Sequence, residues 1–492
     1  MQPVKIGLLG LGTVGGGTVS VLARNADEIA RRAGRDIQIT FAAANEYDAD
    51  AIVGLNKITN ITNDPFLVVD NPDVEIIIEL IGGYSPAKEL VLKAIENGKH
   101  VITANKALIA LHGNEIFASA QKKGVTVAFE AAVAGGIPII KAVREGLAAN
   151  QIEWIAGIIN GTGNFILTEM RDKGRDFKDV LKEAQSLGYA EADPTFDIEG
   201  IDAAHKLTIL GSIAFGMPLQ FDKTYTEGIT KIEKQDVLYA EELGYRIKHL
   251  GISRKVKNGV EQRVHPTLIP ERRLIANVDG VMNAVLVKSD AVGPTLYYGA
   301  GAGSEPTASA IVADIVDVVR ALTTDPENRV PHLAFQPDAL SNINILPIEE
   351  TETAFYLRMH VIDKPGVVAG VTKILGDSNI SIEAILQKEP MENESCIPVI
   401  FLTQCIKEKE MNNAIAKIEK LDVLKSKFEN IDLLKTFRSL EIGFVISISF
   451  FPFENCLSIR ESVNDQVTAS KLSLIHISEP TRRTPISYAV FW

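Results

Sequence analysis

Three groups of residues have types and spacings that could do chemistry. Gly10-Leu11-Gly12-Thr13-Val14-Gly15 is a G-x-G-x-x-G run set between the apolar stretch Val4 to Leu9 and a helical pattern through Val19, Val21, Leu22 and Ala23. In that setting the first glycine makes a tight turn, the second lets the backbone approach a pyrophosphate, and the third lets helix and strand pack closely. The anion then meets free N–H groups, beginning at Thr13 and Val14, at the positive end of a helix dipole. Asp202 and Lys206 stand four apart on a helical stretch and share a face. A positioned lysine can give a proton to an oxygen and take it back. The same spacing also describes an ordinary helix-surface ion pair, worth a few tenths of a kcal/mol. Glu191, Asp193, Asp197 and Glu199 lie just upstream and, with Asp202, would suit a cationic amine. Lys106 follows Thr103-Ala104-Asn105 at a strand end, the side of an open α/β sheet where ligands bind. An exposed loop lysine is the alternative. His205, next to Lys206, is expected to point to a different face and to be structural.

Those residues need elements to position them. Val4 to Leu9, Ile37 to Ala44, Glu75 to Ile81, His100 to Thr103 and Val125 to Phe129 read as short buried strands, with a helix from Pro86 to Asn97. Strands alternating with helices predict a parallel sheet covered on both faces, over residues 1–130. Residues 131–304 read as an α+β unit. It has a strand at Glu153 to Ile159 and helices at Phe165 to Asp172, Phe177 to Ser186 and Gly200 to Phe215. Strands follow at Val264 to Leu268, Leu274 to Val278, Ala284 to Lys288 and Thr295 to Tyr298. Asp279-Gly280 suits a tight reversal. A helix from Thr307 to Leu322 (within 305–325) could return to the first unit. Residues 326–352, with Pro331, Pro337 and Pro347, read as a linker. Residues 353–435 follow as strand, helix, strand, strand, helix, most of a ferredoxin-like fold.

Composition narrows the function classes. The chain has 492 residues, 46% hydrophobic and 23% charged, which suggests roughly three domains. A formal net charge of -13 disfavours nucleic acid and anionic membrane as partners. The three cysteines, Cys396, Cys405 and Cys456, have no metal-ligand spacing and form no disulfide framework. The start of the chain has no signal-peptide pattern, and the longest apolar run near the end, Ile442 to Phe453, is too short to span a bilayer. A cytoplasmic protein is expected. At the end of the second strand, Ala43-Ala44-Asn45-Glu46 places an acid where a ribose 2′-hydroxyl would lie, with no arginine nearby for a 2′-phosphate. That leans slightly to NAD over NADP; Glu46 as a solvated loop residue is the other reading.

Thr103-Ala104-Asn105-Lys106, Asn160-Gly161-Thr162-Gly163-Asn164-Phe165 and the run from Gly188 to Lys206, together with the glycine loop, closely resemble homoserine dehydrogenase over about residues 1–430. The resemblance implies an α/β architecture: a Rossmann-type nucleotide-binding domain, an α+β catalytic and dimerisation domain, and a ferredoxin-like ACT domain. It implies NAD(P)-dependent reduction of L-aspartate 4-semialdehyde to L-homoserine, in threonine, methionine and isoleucine biosynthesis. By it, Lys206 is the proton donor, Glu191 and Asp202 bind substrate, and Lys106 helps in proton transfer or carboxylate binding. Gly188 and Gly303 would lie beside the cofactor, although Gly299 to Gly303 also reads as a hinge. Glu130 and the carbonyls of Val133, Gly135 and Ile137 match a monovalent-cation site, usually sodium, and carbonyl oxygens suit a hard cation.

Asp363-Lys364-Pro365-Gly366, with the Val367 to Val371 run behind it, resembles the ligand turn of ACT domains. Threonine is the natural candidate effector, and a ligand-free structural domain is the alternative. A homodimer or homotetramer is expected. Two other functions fit less well. A dehydrogenase acting at the α-carbon would want a carboxylate clamp in place of the Asp202/Lys206 arrangement, and a non-catalytic amino-acid sensor would not need Lys106, Glu191, Asp202 and Lys206. Residues 438–492 lose periodicity, and KLSLIHISEPTRRTPISYAVFW reads as translated non-native sequence, with a divergent native tail as the alternative.

Overall fold

The structure is a computed structural model that describes residues 2–388 and 396–421, and the backbone of 432–436. Residues 438–492 and Cys456, on which the tail reading bears, lie outside the described residues. Among the described residues no helix is long and apolar enough to cross a membrane.

The first sheet is built from β1 (Val4–Leu9), β2 (Ile37–Ala43), β3 (Asn60–Thr62), β4 (Ile76–Glu79), β5 (His100–Thr103) and β6 (Val127–Ala128). They lie in the order β3-β2-β1-β4-β5-β6 and all pair in parallel. Strand alternation feeds two cores. Ile76, Ile78 and Ile102 join Ile6 and Leu8 on one face, while Ile77 and Val101 join Leu108 and Ile109 on the other. Each such fully buried side chain contributes about 1.5–3 kcal/mol. The Ser304–Ala321 helix covers the first face through Ile311 and Ile315 and packs on the Thr13–Arg24 helix. On the second face, the Lys106–Lys123 helix starts where the Asn105 side chain accepts from Leu108 N, and ends at Gly124 in the left-handed region.

A second sheet of eleven strands holds most of the rest. Its strands are β7 (Ile152–Ile158), β9 (Tyr245–Val256), β10 (Gly259–Pro270), β11 (Met282–Ser289), β12 (Gly293–Ala300), β13 (Glu352–Ile362), β14 (Ile382–Gln387), β15 (Cys396–Thr403) and β17 (Asp432–Thr436). The order is β12-β11-β7-β9-β10-β17-β13-β15-β14. β8 (Tyr225–Thr226) flanks β10 and β16 (Ile406–Lys407) flanks β13. β9 and β10 form a long hairpin around Lys257-Asn258, and β17 bridges β10 to β13.

Three sequence expectations change here. Leu274 to Val278 is not a strand: Leu274–Asn277 is a short helical turn with Leu274 75% exposed, held by the Asn277 side chain on the carbonyls of Glu271 and Arg273. Asp279-Gly280 therefore turns from that helix into β11, not between two strands. β9 was not anticipated, because YRIKHLGISRKV lacks clean alternation. Its polar residues are buried against partners, Lys248 on Asp279 and His249 on the carbonyl of Glu227.

The third unit is joined to the second through the sheet and not only by the 326–352 segment. Phe355, Leu357, Met359 and Val361 face the Val367–Asp377 and Glu408–Ile418 helices. The alternate residues Tyr356 and Arg358 face the Lys234–Glu242 helix, where Asp236 accepts from both.

Candidate active site

The glycine loop joins β1 to the Thr13–Arg24 helix. Gly10 has φ +103, and a Cβ there would stand 2.7 Å from the Leu80 carbonyl oxygen. A Cβ at Gly15 would collide with the carbonyl of Gly10, whereas Gly12 faces open space. No side chain caps the helix at Gly12, so the first-turn N–H groups stay available to an anion. These are the steric demands of a dinucleotide loop. Ser304 Oγ donates to the Thr13 carbonyl at 2.8 Å, which brings Gly303 beside the loop. Sequence reasoning did not single out Ser304.

Beside this loop, a cleft of about 400 Å³ is lined by Val14, Lys106, Glu191, Asp193, Asp197 and Asp202, among others. Lys106 is the first residue of its helix rather than part of a loop. Its Nζ lies 3.1 Å from Asp202 Oδ1. Lys206 Nζ lies 2.6 Å from Asp202 Oδ2 and donates to the Ile159 carbonyl at 2.7 Å. Two lysines distant in sequence thus meet on one carboxylate. Asp202 and Lys206 are 6% and 9% exposed, so their spacing is not that of a helix-surface pair. The Ile201–Phe215 helix is buried because it packs between the Lys106–Lys123 helix and the β9–β10 hairpin.

The electrostatics follow from that burial. Burial opposes the Asp202 charge, yet Lys206, Lys106 and the Asn160 amide hold its carboxyl well below the usual range. Burial, aided by the Lys106 charge, pushes the Lys206 ammonium down against the pull of Asp202. Lys106 is raised, chiefly by Asp202. Asp197 is raised, by burial first and then by Asp202. The site is therefore a buried carboxylate under two ammonium groups, one of them displaced toward giving up its proton.

Asn160 opens the Asn160-to-Phe165 motif, and only the fold gives it a task. Its side chain caps the Gly161–Lys173 helix by accepting from Gly163 N at 2.7 Å. Its amide donates to Asp197 at 2.7 Å and to Asp202 at 3.0 Å. The N-cap position in Asn160-Gly161-Thr162 was the available sign. Thr162 Oγ1 donates to the Tyr189 carbonyl at 2.5 Å and steadies the segment that leads to Glu191.

His205 departs from expectation. It lines the cleft, with its ring between Phe196 and Phe221 at centroid distances of 6.4 and 4.4 Å. Its Nδ1 is buried without a hydrogen-bond partner, and burial lowers its pKa to about 4. One residue before Lys206, it stands three after Asp202, and residues three apart share a helix face. Glu199 does not join the acidic cluster about the cleft; it accepts from Thr230. Gly188, just beyond the Phe177–Ser186 helix with φ +75, is not in the cleft lining. Glu46 is exposed beyond β2.

Glu130, Val133, Gly135 and Ile137 lie on a separate turn after β6. Glu130 is 4% exposed, and its carboxylate accepts from the N–H groups of Ile140 and Lys141 at 2.8 Å each. Burial raises its pKa to about 7. Its own N–H donates at 2.8 Å to Asp314, a buried carboxyl also raised by burial. Ala134 and Gly135 are both left-handed, which bends the turn tightly. Among the described residues no group of three or more acidic, histidine or cysteine side chains could hold a metal ion.

The chain is similar to known proteins over most of its length. The family model described as homoserine dehydrogenase matches residues 138–316, its NAD-binding domain matches 10–130, and an ACT domain matches 355–421. The chain is 67% identical over 422 residues to a homoserine dehydrogenase of Pseudomonas aeruginosa, covering 86% of this chain and 96% of that one. A homoserine dehydrogenase structure from Thiobacillus denitrificans is 65% identical with a TM-score of 0.84, covering 89% of this chain and 98% of that one. A hyperthermophilic archaeal homoserine dehydrogenase in complex with NADPH is 26% identical with a TM-score of 0.55, covering 64% of this chain and 98% of that one. An NAD-binding domain, a catalytic domain and an ACT domain thus follow one another along an oxidoreductase chain, which belongs to the homoserine dehydrogenase family.

Proposed function

We propose that the chain interconverts L-aspartate 4-semialdehyde and L-homoserine with NAD or NADP, in the synthesis of threonine, methionine and isoleucine. The observation that carries this reading is the convergence of Lys106 and Lys206 on Asp202 in a cleft beside the glycine loop. Gly10, Gly12, Thr13, Val14 and Gly15 would hold the dinucleotide, with Lys106 near its reactive end and Gly188 and Gly303 as further cofactor-binding positions. The bound nicotinamide supplies or accepts the hydride. Lys206 gives its Nζ proton to the aldehyde oxygen as the alcohol forms, and its lowered pKa favours that transfer. Glu191 and Asp202 hold the substrate ammonium, while Lys106 orients Asp202 and the carboxylate end of the substrate.

Glu130 with the carbonyls of Val133, Gly135 and Ile137 would hold a monovalent cation such as sodium, because carbonyl oxygens suit a hard cation and the buried Glu130 carboxyl on the same turn would gain from its charge. The Asp363 to Gly366 turn, where Gly366 has φ +92 at the start of a helix, would take an amino-acid effector such as threonine. A homodimer or homotetramer in the cytoplasm fits the half-exposed face of β12, where Tyr298 is 58% exposed.

The test is steady-state turnover with homoserine and each of NAD and NADP. The expected outcome is homoserine-dependent reduction of at least one of them. No turnover with either would overturn the reading. For the cation, replacing sodium by choline should lower the melting temperature of the wild type and leave Glu130→Gln unmoved.

A further inference from the structure

We infer that Glu79 is a positioning residue for Lys106, an inference that rests on the reading of Lys106 as an active-site lysine. Glu79 ends β4 and is fully buried. Its Oε1 accepts from Ile81 N at 2.9 Å and Gly82 N at 3.0 Å. Its Oε2 accepts from Thr103 Oγ1 at 2.7 Å. Thr103 Oγ1 accepts in turn from Asn105 N at 3.0 Å. The Asn105 amide donates to the Gly83 carbonyl at 2.7 Å, and its oxygen caps the Lys106–Lys123 helix through Leu108 N at 3.1 Å. The bonds close a ring from Glu79 through residues 81–83 to Asn105, then Thr103, and back to Glu79. Both segments that it ties, 80–84 and 104–107, line the cleft.

Glu79 is a buried carboxyl group that accepts from neutral donors. Its three donors need an acceptor on both oxygens, which a carboxylate provides and a carboxamide does not. The ring sets where the Lys106 helix begins, and so sets the 3.1 Å approach of Lys106 to Asp202 across the cleft. Lys206 shares Asp202 with Lys106 but is also held by the Ile159 carbonyl, which the ring does not touch. Loss of the ring should therefore act chiefly through Lys106.

The experiment is a double-mutant cycle. Glu79→Gln and Thr103→Val are each made in the wild type and in a Lys106→Met background. Kinetics with homoserine, dinucleotide affinity by fluorescence and melting temperature are then measured. In the wild type each should lower kcat/KM about 10-fold, the range set by small misplacements of catalytic groups, with dinucleotide affinity changed less than about 2-fold. In the Lys106→Met background the same changes should cost less than about 2-fold. Full, multiplicative losses in both backgrounds, or no loss in the wild type, would overturn the inference. If Lys106→Met itself retained full activity, the assignment of Lys106 would fail instead, so the two failures are distinguishable. Thr103→Val carries the test where Glu79→Gln does not fold.

Discussion

Two buried charge clusters, one in the cleft and one under the third unit, solve opposite problems. Under the third unit, Arg358 is 1% exposed and forms a fork with Asp236 at 2.7 and 3.2 Å, joined by Glu233 at 2.9 Å and the Tyr356 hydroxyl. Asp236 also accepts from Glu233 N at the helix start. One guanidinium is matched by two carboxylates in a planar geometry that leaves little to a ligand. In the cleft, by contrast, two ammonium groups converge on one buried carboxylate, and Glu191, Asp193 and Asp197 stand around them without forming ion pairs of their own among the described residues. The satisfied cluster can hold two parts of the fold together. The unsatisfied one keeps protonation states close in energy, as proton transfer requires.

Breaking each cluster should therefore move different observables. Lys206→Ala should cost about 10²- to 10⁴-fold in kcat, the usual worth of a positioned acid–base group, while dinucleotide affinity stays near that of the wild type. A variant with full kcat would remove the assigned role. Arg358→Met should do the reverse. It strands Asp236 in the interior and should cost about 3–5 kcal/mol of stability, seen as a lower urea midpoint at an unchanged slope, with kcat of the folded fraction preserved. Adding Asp236→Leu should recover part of that loss, because no unpaired charge then remains buried. A large fall in kcat without a midpoint shift would make the Arg358 cluster functional and erase the contrast.

The same contrast explains what could be read in advance. The glycine loop was legible because its constraints are local: a strand, a tight turn and a helix start within a few residues, each needing glycine for a stated steric reason. The acidic run and Lys206 were legible as types and spacings, but their burial was not, since only the packing of the Ile201–Phe215 helix between two other elements takes them out of water. Glu79 and Asn160 carry no spacing pattern, because their partners at Thr103 and Asp202 lie 24 and 42 positions away. β9 was hidden for a related reason: Lys248 and His249 look solvent-facing in sequence and find buried partners only in the fold. The continuity of the large sheet through β17 lay beyond any local pattern, since it depends on pairing with two remote strands.

The smallest expected effect concerns His205, which belongs to the cleft yet should behave there as a stability element. Its ring is buried between Phe196 and Phe221, and burial first, then the charges of Lys106 and Lys206, holds its pKa at about 4 against the pull of Asp202. In the unfolded chain the imidazole takes a proton near 6.5. Between those values the unfolded state binds a proton that the folded state refuses, so stability falls as pH drops from about 6.5 toward 4. For one such group the loss is on the order of 1–3 kcal/mol. His100, also buried and lowered to about 4, should add a similar loss of its own. His205→Phe keeps the stacking, removes the unpartnered Nδ1 and abolishes this titration. Its melting temperature should match or exceed the wild type at pH 7 and fall less steeply below pH 6.5, as melting curves across that range would show. A variant as acid-sensitive as the wild type would shift the lability to His100 and to His332, which burial also lowers to about 4. A His205→Phe variant stable at every pH but raised several-fold in KM for homoserine would instead make the imidazole a substrate contact, and His205 would join the two lysines.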